Sequence, residues 1–190
     1  MIHRLKLAIA GAALAALPAA AHAAEAEIGL GSTVEGACGV GAPDTTMINL
    51  HDLTGPDGLL DAGKTGNTVL GFATIEDAWC NTAHELSMIT YPMSLQHTPP
   101  YAQPAYLSRK VTFNARLVGW TTGFTGRPHG GGDLASIGPI SGAFAAPAPG
   151  LQLQISKLQT LTAGSVEQPN LMLEPGSYRG TVTIILAVAS

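Results

Sequence analysis

The stretch that decides the fold closes the chain: Leu173-Glu-Pro-Gly-Ser-Tyr-Arg-Gly-Thr-Val-Thr-Ile-Ile-Leu-Ala-Val-Ala-Ser190. Pro175-Gly176 predicts a turn, because proline presets φ and glycine tolerates positive φ. After this turn, apolar side chains recur with a period of two, which is typical of a strand with one buried face. These residues are Tyr178, Val182, Ile184, Leu186 and Val188. We expect a central strand of a sheet, with the rest of the chain covering it.

The first 23 residues predict a secretory signal peptide. Arg4 and Lys6 give a positive start, a short apolar core follows, and Ala21-His22-Ala23 has the A-x-A pattern of a cleavage site. The apolar core is too short to span a bilayer as a helix. We therefore expect an exported protein with three parts: a signal peptide (1–23), an N-terminal extension (24–36) and a β-sandwich domain (37–190).

The composition favours short strands and argues against a nucleic-acid partner. Only 12% of the residues are charged and 46% are hydrophobic, with 23 glycines and 13 prolines. Removal of Arg4 and Lys6 with the signal peptide lowers the formal net charge from −4 to −6. Binding to nucleic acid needs clustered lysine and arginine, so we expect none.

Two cysteines, Cys38 and Cys80, are present. In an oxidising compartment an isolated pair predicts one disulfide, although two free thiols or a pair of metal ligands fit the sequence as well. The loop between them is long, so a disulfide would contribute about 4 kcal/mol by the chain-entropy model. No C-x-x-C motif is present, and we do not expect a thiol redox enzyme.

The rest of the chain predicts an all-β sandwich of seven or eight short antiparallel strands separated by turns. Arg109 to Val118 is the clearest of these strands, with apolar side chains on one face and polar ones on the other. A strand that begins at His84 is expected to end at Pro92. Thr45 to Leu50 is expected to form a weak strand.

Three features of the sequence occur together. Cys38 is the fifteenth residue after Ala23, and Cys80 follows 42 residues later with a Leu-Ser-Met-Ile strand after it. The chain then closes with Pro-Gly-Ser-Tyr-Arg-Gly-Thr-Val-Thr-Ile, ending that motif at Ile184. In these features the chain resembles the subunits of chaperone–usher pili, and most of all their archaic branch, the spore coat protein U-type domain.

The resemblance implies an immunoglobulin-like sandwich that lacks its final strand. A periplasmic chaperone would fill the gap first, and at an outer-membrane usher the N-terminal extension of the next identical or related subunit would replace it. The location implied is the periplasm and then the cell surface, in an extracellular fibre. The resemblance implies no cofactor, metal ion or catalytic residue.

Ala24 to Val34 has the properties that such a donor strand needs, because it alternates apolar residues and contains no proline. Ile28, Leu30 and Val34 would fill pockets in the neighbouring subunit, and Ser32 would be the small residue in the series. The same segment also fits the first strand of an ordinary sandwich, so both interpretations stay open.

Other candidate sites have simpler interpretations. The loop from Arg127 to Gly132 is similar to the HGGG oxyanion loop of esterases, but no G-x-S-x-G motif accompanies it, and we expect a flexible loop. Met88, Met93 and His97 suggest a copper site, although core and loop positions are expected for them. Trp79 and Trp120 with Tyr101 and Tyr106 would need a shared surface to bind carbohydrate, and Trp79 is expected to pack on the disulfide as a core residue.

Four scattered acids, Asp57, Asp61, Glu76 and Asp77, do not establish the facing pair that a glycosidase needs. We expect them to be solvated loop charges. The sequence therefore predicts a structural subunit rather than an enzyme. The alternative is a self-contained periplasmic or secreted β-sandwich that binds a surface ligand or a metal ion.

Overall fold

The computed structural model describes residues 32–189. The chain divides into two units, Met1–Val34 and Glu35–Ser190. In the first unit, residues 32–34 are described and are exposed, and Val34 keeps 84% of its surface accessible. Ile28 and Leu30, two of the four candidate donor residues, lie outside the described residues.

The second unit is built from β-strands. They are β1 (Cys38–Gly39), β2 (Val69–Ile75), β3 (Trp79–Cys80), β4 (His84–Leu95), β5 (Leu107–Ser108), β6 (Lys110–Val118), β7 (Phe124–Gly126), β8 (Asp133–Ile140), β9 (Phe144–Ala145), β10 (Leu151–Leu161), β11 (Met172–Leu173) and β12 (Tyr178–Val188). A short 3₁₀ helix occupies Ala62–Lys64. Within residues 32–189, no helix is long and apolar enough to cross a membrane.

The expected all-β sandwich with one disulfide is confirmed. The Cys38–Cys80 bond joins β1 to β3, which pair directly. Disulfides persist in oxidising compartments, so this bond indicates a location outside the cytoplasm.

Seven strands form one sheet that folds over on itself. The main path is β12-β4-β6-β10-β2, with β8 beside β4 and β7 beside β6. β4 and β6 share only two paired positions, at Met93 and Ser94 of β4. From this corner the group β8-β4-β12 and the group β7-β6-β10-β2 diverge, and they become the two halves of the sandwich. β1-β3-β9 and β11-β5 form two smaller sheets.

The core takes side chains from both halves of the sandwich. Leu86 and Met88 of β4 and Leu151 of β10 are 0% exposed, and Leu117 of β6 is 1% exposed. Their positions follow the period-two alternation that marks a strand with one buried face. Each such side chain contributes roughly 1.5–3 kcal/mol through burial.

β4 does not end at Pro92, as the sequence predicted. Tyr91 pairs with Thr181 and Ser94 pairs with Arg179, so two residues of β4 face one residue of β12. This register shift is a β-bulge, where the extra residue needs no place in the hydrogen-bond ladder. A proline is tolerated at such a position, and the strand continues to Leu95.

Two further expectations are wrong. Thr45 to Leu50 does not form a strand. β12 is not central, because among residues 32–189 it pairs with β4 alone and therefore lies at the edge of the sheet. A period-two pattern reports that one face of a strand is buried, but it does not report how many neighbours the strand has.

His84 and Trp120 form a buried pair. His84 is 0% exposed, and its Nδ1 lies 2.8 Å from the carbonyl oxygen of Thr82. The indole Nε1–H of Trp120 donates to His84 Nε2 at 3.1 Å. Because Nε2 accepts this bond, the proton of the neutral ring is assigned to Nδ1, which donates to the Thr82 carbonyl.

Replacement of His84 by leucine should lower the free energy of unfolding by about 1–3 kcal/mol, because the buried indole N–H of Trp120 would lose its acceptor. The measurement is urea denaturation followed by tryptophan fluorescence. His97→Leu, at an exposed loop position, is the control and should change stability by less than about 0.5 kcal/mol. Equal effects of the two substitutions would contradict this account of the pair.

Candidate functional site

The C-terminal strand β12 has one open edge. It pairs with β4 along nearly its whole length, and no other strand in the described part of the chain pairs with its opposite edge. Every second residue of an antiparallel strand directs its N–H and C=O to one side. β12 therefore presents a row of backbone groups without a strand partner, an arrangement that natural proteins normally protect.

The inward face of β12 is apolar but only half-buried. Val182, Ile184 and Leu186 pack against the core and keep part of their surface accessible. Across the ladder, by contrast, Ile184 faces Met88, which is 0% exposed. The core is thus complete under β4 and incomplete under β12.

A groove of about 1170 Å³ runs beside this edge. One wall is formed by residues 177–184, and the other by residues 40–54. The floor consists of core side chains from both halves of the sandwich and from β11: Ala73, Ile75, Met93, Phe113, Leu153, Ile155 and Leu173. An apolar floor between two walls of main chain has the shape and chemistry to receive an extended peptide.

The second wall, residues 40–54, is hydrogen-bonded to β2 near its start and continues as a series of local turns. The amide of Asp44 donates to the carbonyl of Thr74, and the amide of Thr74 donates to Asp44 Oδ1, both at 2.8 Å. Further along, the amide of His51 donates to the side chain of Asn49 at 2.8 Å. Such local bonds between side chain and backbone compete with strand pairing, which explains why Thr45–Leu50 is not a strand.

The wall packs on β2 through a contact that requires glycine. Ile48, Leu50 and Leu53 pack against the core. A Cβ atom at Gly71 would lie 2.4 Å from Ile48 Cγ2, which is far inside van der Waals contact. The absence of a side chain at Gly71 therefore allows the wall to sit against the sheet.

A buried ion pair fixes the turn that precedes β12. Arg109 Nε donates to Glu174 Oε2 at 2.5 Å, and the two side chains are 11% and 5% exposed. The hydroxyl of Tyr101 donates to Glu174 Oε1 at 2.5 Å. Hydrogen bonds from Arg109 and then from Tyr101 lower the pKa of the Glu174 carboxyl, so that the group stays ionised in the folded protein.

Tyr178 ties the first residue of β12 to the same cluster. Its hydroxyl lies 2.7 Å from the carbonyl oxygen of Glu174 and 3.0 Å from that of Ser108. This bond from a tyrosine hydroxyl to main chain a few residues upstream is similar to the tyrosine corner of immunoglobulin-like sandwiches. Burial raises the pKa of Tyr178 to about 12, so the hydroxyl keeps its proton and remains a donor.

The ion pair predicts a specific loss of stability in acid. The pKa of Glu174 is lower in the folded state than the value of about 4.3 expected in an unfolded chain. The stabilisation is therefore complete above the unfolded-state pKa and is lost as the pH falls through the folded-state pKa.

Glu174→Gln should be less stable than the wild type at pH 7 and should lose less further stability between pH 5 and pH 3, measured by urea denaturation. Glu76→Gln, at an exposed position, should behave like the wild type. An unchanged acid profile in Glu174→Gln would contradict the assignment.

The glycine contact gives a second prediction. Gly71→Ala should destabilise the protein by about 1–3 kcal/mol through overpacking. The double variant Gly71→Ala with Ile48→Ala should lose less than the sum of the two single changes, because the methyl group would enter the space that Ile48 leaves. Gly66→Ala is the matched control, since nothing lies within 4 Å of a Cβ atom placed there. Strict additivity in the double variant would show that Ile48 does not rest on Gly71.

The remaining candidate residues are not brought together. Met88 and Met93 are core residues, whereas His97 is exposed. Trp120 is buried, so it shares no surface with the exposed Tyr101 and Tyr106. Trp79 is 42% exposed with its indole over Gly39, and the expectation that it is a core residue is wrong.

The scattered acids have separate local environments. Asp57 accepts a hydrogen bond from the amide of Leu59 and Asp61 from that of Gly63, so both carboxylates stabilise turns. Glu76 and Asp77 are exposed. Among the described residues, no three or more histidine, cysteine, aspartate or glutamate side chains are placed to hold a metal ion.

The glycine-rich loop is more firmly anchored than its sequence suggested. Arg127 donates to Glu167 and Gln159 at 2.5 Å and to Asn114 at 2.7 Å. This cluster and the Arg109–Glu174 pair are the features that sequence reasoning missed. Arg127 and Glu167 are 40 residues apart in the chain, and Arg109 and Glu174 are 65 residues apart, so no local sequence pattern reveals either pair.

No protein-family model, curated protein or solved structure matches this chain.

Proposed function

We propose that this protein is a structural subunit of a surface fibre or pilus that assembles by donor-strand complementation, and that it is not an enzyme. The open edge of β12 beside a groove floored by core side chains is the observation that carries this proposal. An added strand would pair with the free backbone of β12 and direct every second side chain onto the floor. One occupant would thus satisfy both the backbone and the apolar surface.

The N-terminal extension of another copy is the occupant that suits the groove. Residues 24–34 of the extension comprise eleven residues, which is long enough as an extended strand to follow residues 177–184 of the groove wall over about 27 Å. Ile28, Leu30 and Val34 would face the floor, with Ser32 at the position that calls for a small side chain.

The proposed partners follow from the same physical requirement. An open edge and a half-covered core are hazards for a free subunit, so a periplasmic chaperone would cover the groove until assembly. An outer-membrane usher would then exchange the chaperone for the extension of the next identical or related subunit. The predicted signal peptide and the disulfide fit export to the periplasm and then to the cell surface as an extracellular fibre.

The test is the SDS resistance of the assembled protein. A whole strand buried in a neighbour dissociates slowly, so unheated samples should give a ladder of multimers that collapses on boiling. Leu30→Lys, on the inward face of the donor strand, should abolish the ladder, because a lysine would be placed against the apolar floor. Thr33→Lys is the matched control on the opposite face and should retain it.

A monomer band alone from the wild-type chain would contradict the proposal. So would a ladder that survives Leu30→Lys and Thr33→Lys equally, because the alternation of the donor strand would then be irrelevant.

A self-contained binding module remains the second candidate. A smaller cavity of about 660 Å³ is lined by polar side chains that include Asp57, Asp61, Gln159 and Asn170. However, both aspartates already accept hydrogen bonds from nearby amides. The cavity therefore offers a ligand fewer free polar groups than its lining suggests, and the groove is the better candidate.

A further inference from the structure

The base of the N-terminal extension is hydrogen-bonded to Asn81, the residue that follows strand β3. Asn81 Oδ1 accepts from the amide of Ala37 at 2.6 Å, and the amide of Asn81 donates to the carbonyl of Ala37 at 3.0 Å. Asn81 Nδ2 donates to the carbonyl of Glu35 at 3.1 Å. One residue later, Cys38 is joined covalently to Cys80. The extension therefore leaves the domain from a fixed point beside the start of β4.

The chain that follows this point is weakly held. β1 pairs with β3 through only two residues, Cys38 and Gly39. Beyond them, the next contacts with the sheet are an isolated bridge at Pro43 and the two hydrogen bonds of Asp44. By contrast, β4 pairs with β12 at ten positions. Without the disulfide, tension applied at Glu35 would act first on these few attachments, before it reached the packed side chains of Ile48, Leu50 and Leu53.

We propose that the Cys38–Cys80 disulfide is a mechanical bypass, which transfers tension from the N-terminal extension directly to the start of β4 and so keeps residues 40–54 out of the path of the force. This inference rests on the proposed function, because tension reaches Glu35 only if the extension is held in a neighbouring subunit. With the bypass, force passes from Cys38 to Cys80 and then into the β4–β12 ladder.

The consequence concerns the groove itself. Residues 40–54 form one of its two walls, and they begin two residues after Cys38. Peeling of this segment from the N-terminal side would open the groove and release the donor strand bound there. The disulfide would therefore keep the donor strand of one neighbour bound in the groove while the other neighbour pulls on the N-terminal extension.

The experiment is single-molecule pulling on the isolated, oxidised protein. Handles are attached at positions 35 and 176 in one sample and at positions 83 and 176 in a second. Position 176 is in the turn before β12, at the opposite end of that strand from Ala83. Because the disulfide connects the two starting points, the first rupture force should be the same in both samples. A weaker first rupture from position 35 would overturn the proposal, and this comparison needs no reduced protein.

Addition of a reductant supplies the second arm. Reduction should add an early lengthening of up to roughly 55 Å when the pull is from position 35, because residues 39–54 would extend before the paired strand β2 is reached. The pull from position 83 should remain unchanged. Identical traces from position 35 with and without reductant would also overturn the proposal. Both pulling experiments use single subunits, so their results do not depend on assembly. A failure of the mechanical proposal can therefore be distinguished from a failure of the proposed function, which the SDS ladder tests.

Discussion

An antiparallel strand has two edges, and the structure depends on the fact that, among residues 32–189, β12 has a partner on only one of them. Two deficits result, and both border the groove. Alternate backbone groups lack a strand partner, and the side chains of Val182, Ile184 and Leu186 keep part of their surface accessible beside a groove floored by core residues. A small ligand could cover the apolar floor, but it would not supply a ladder of hydrogen bonds. An extended peptide with alternating apolar side chains would meet both needs, and this is the basis of the proposed assembly.

The groove is shaped before any occupant arrives, because both of its ends are fixed by buried or covalent contacts. At one end, Glu174 is held by Arg109, and the Tyr178 hydroxyl bonds the main chain of the same turn, which sets the start of β12. At the other end, the disulfide and the side chain of Asn81 hold the first residues of the domain. Between them, residues 40–54 form a wall that local turns keep out of the sheet. A preformed site loses less conformational entropy on binding, and the same fixed ends would allow force to pass through a subunit without opening it.

The sequence was sufficient to predict the class of fold, but it was not sufficient to predict which strands lie at the edge of the sheet. Period-two alternation identified β12 and the clearest internal strand, and the cysteine count gave the disulfide. The same alternation cannot distinguish an edge strand from a central one, since both bury one face. The path of β4 beyond Pro92 was missed because a bulge depends on the partner strand. The ion pair of Arg109 with Glu174 joins residues 65 apart, and only the folded chain brings them together. The groove was expected only through a resemblance to pilus subunits, and its walls and floor became visible in the structure.

Amide hydrogen exchange along β12 in the isolated subunit tests the open edge most directly. Residues whose amides point toward β4 should exchange slowly, and the alternate residues, whose amides point into the groove, should exchange rapidly. Slow and fast positions should therefore alternate from Thr181 to Val188, and the fast ones that border the groove, up to Ile184, should become slow once the chain has assembled. Uniform slow exchange along β12 in the monomer would contradict an open edge, because it would mean that both sides of the strand are already paired.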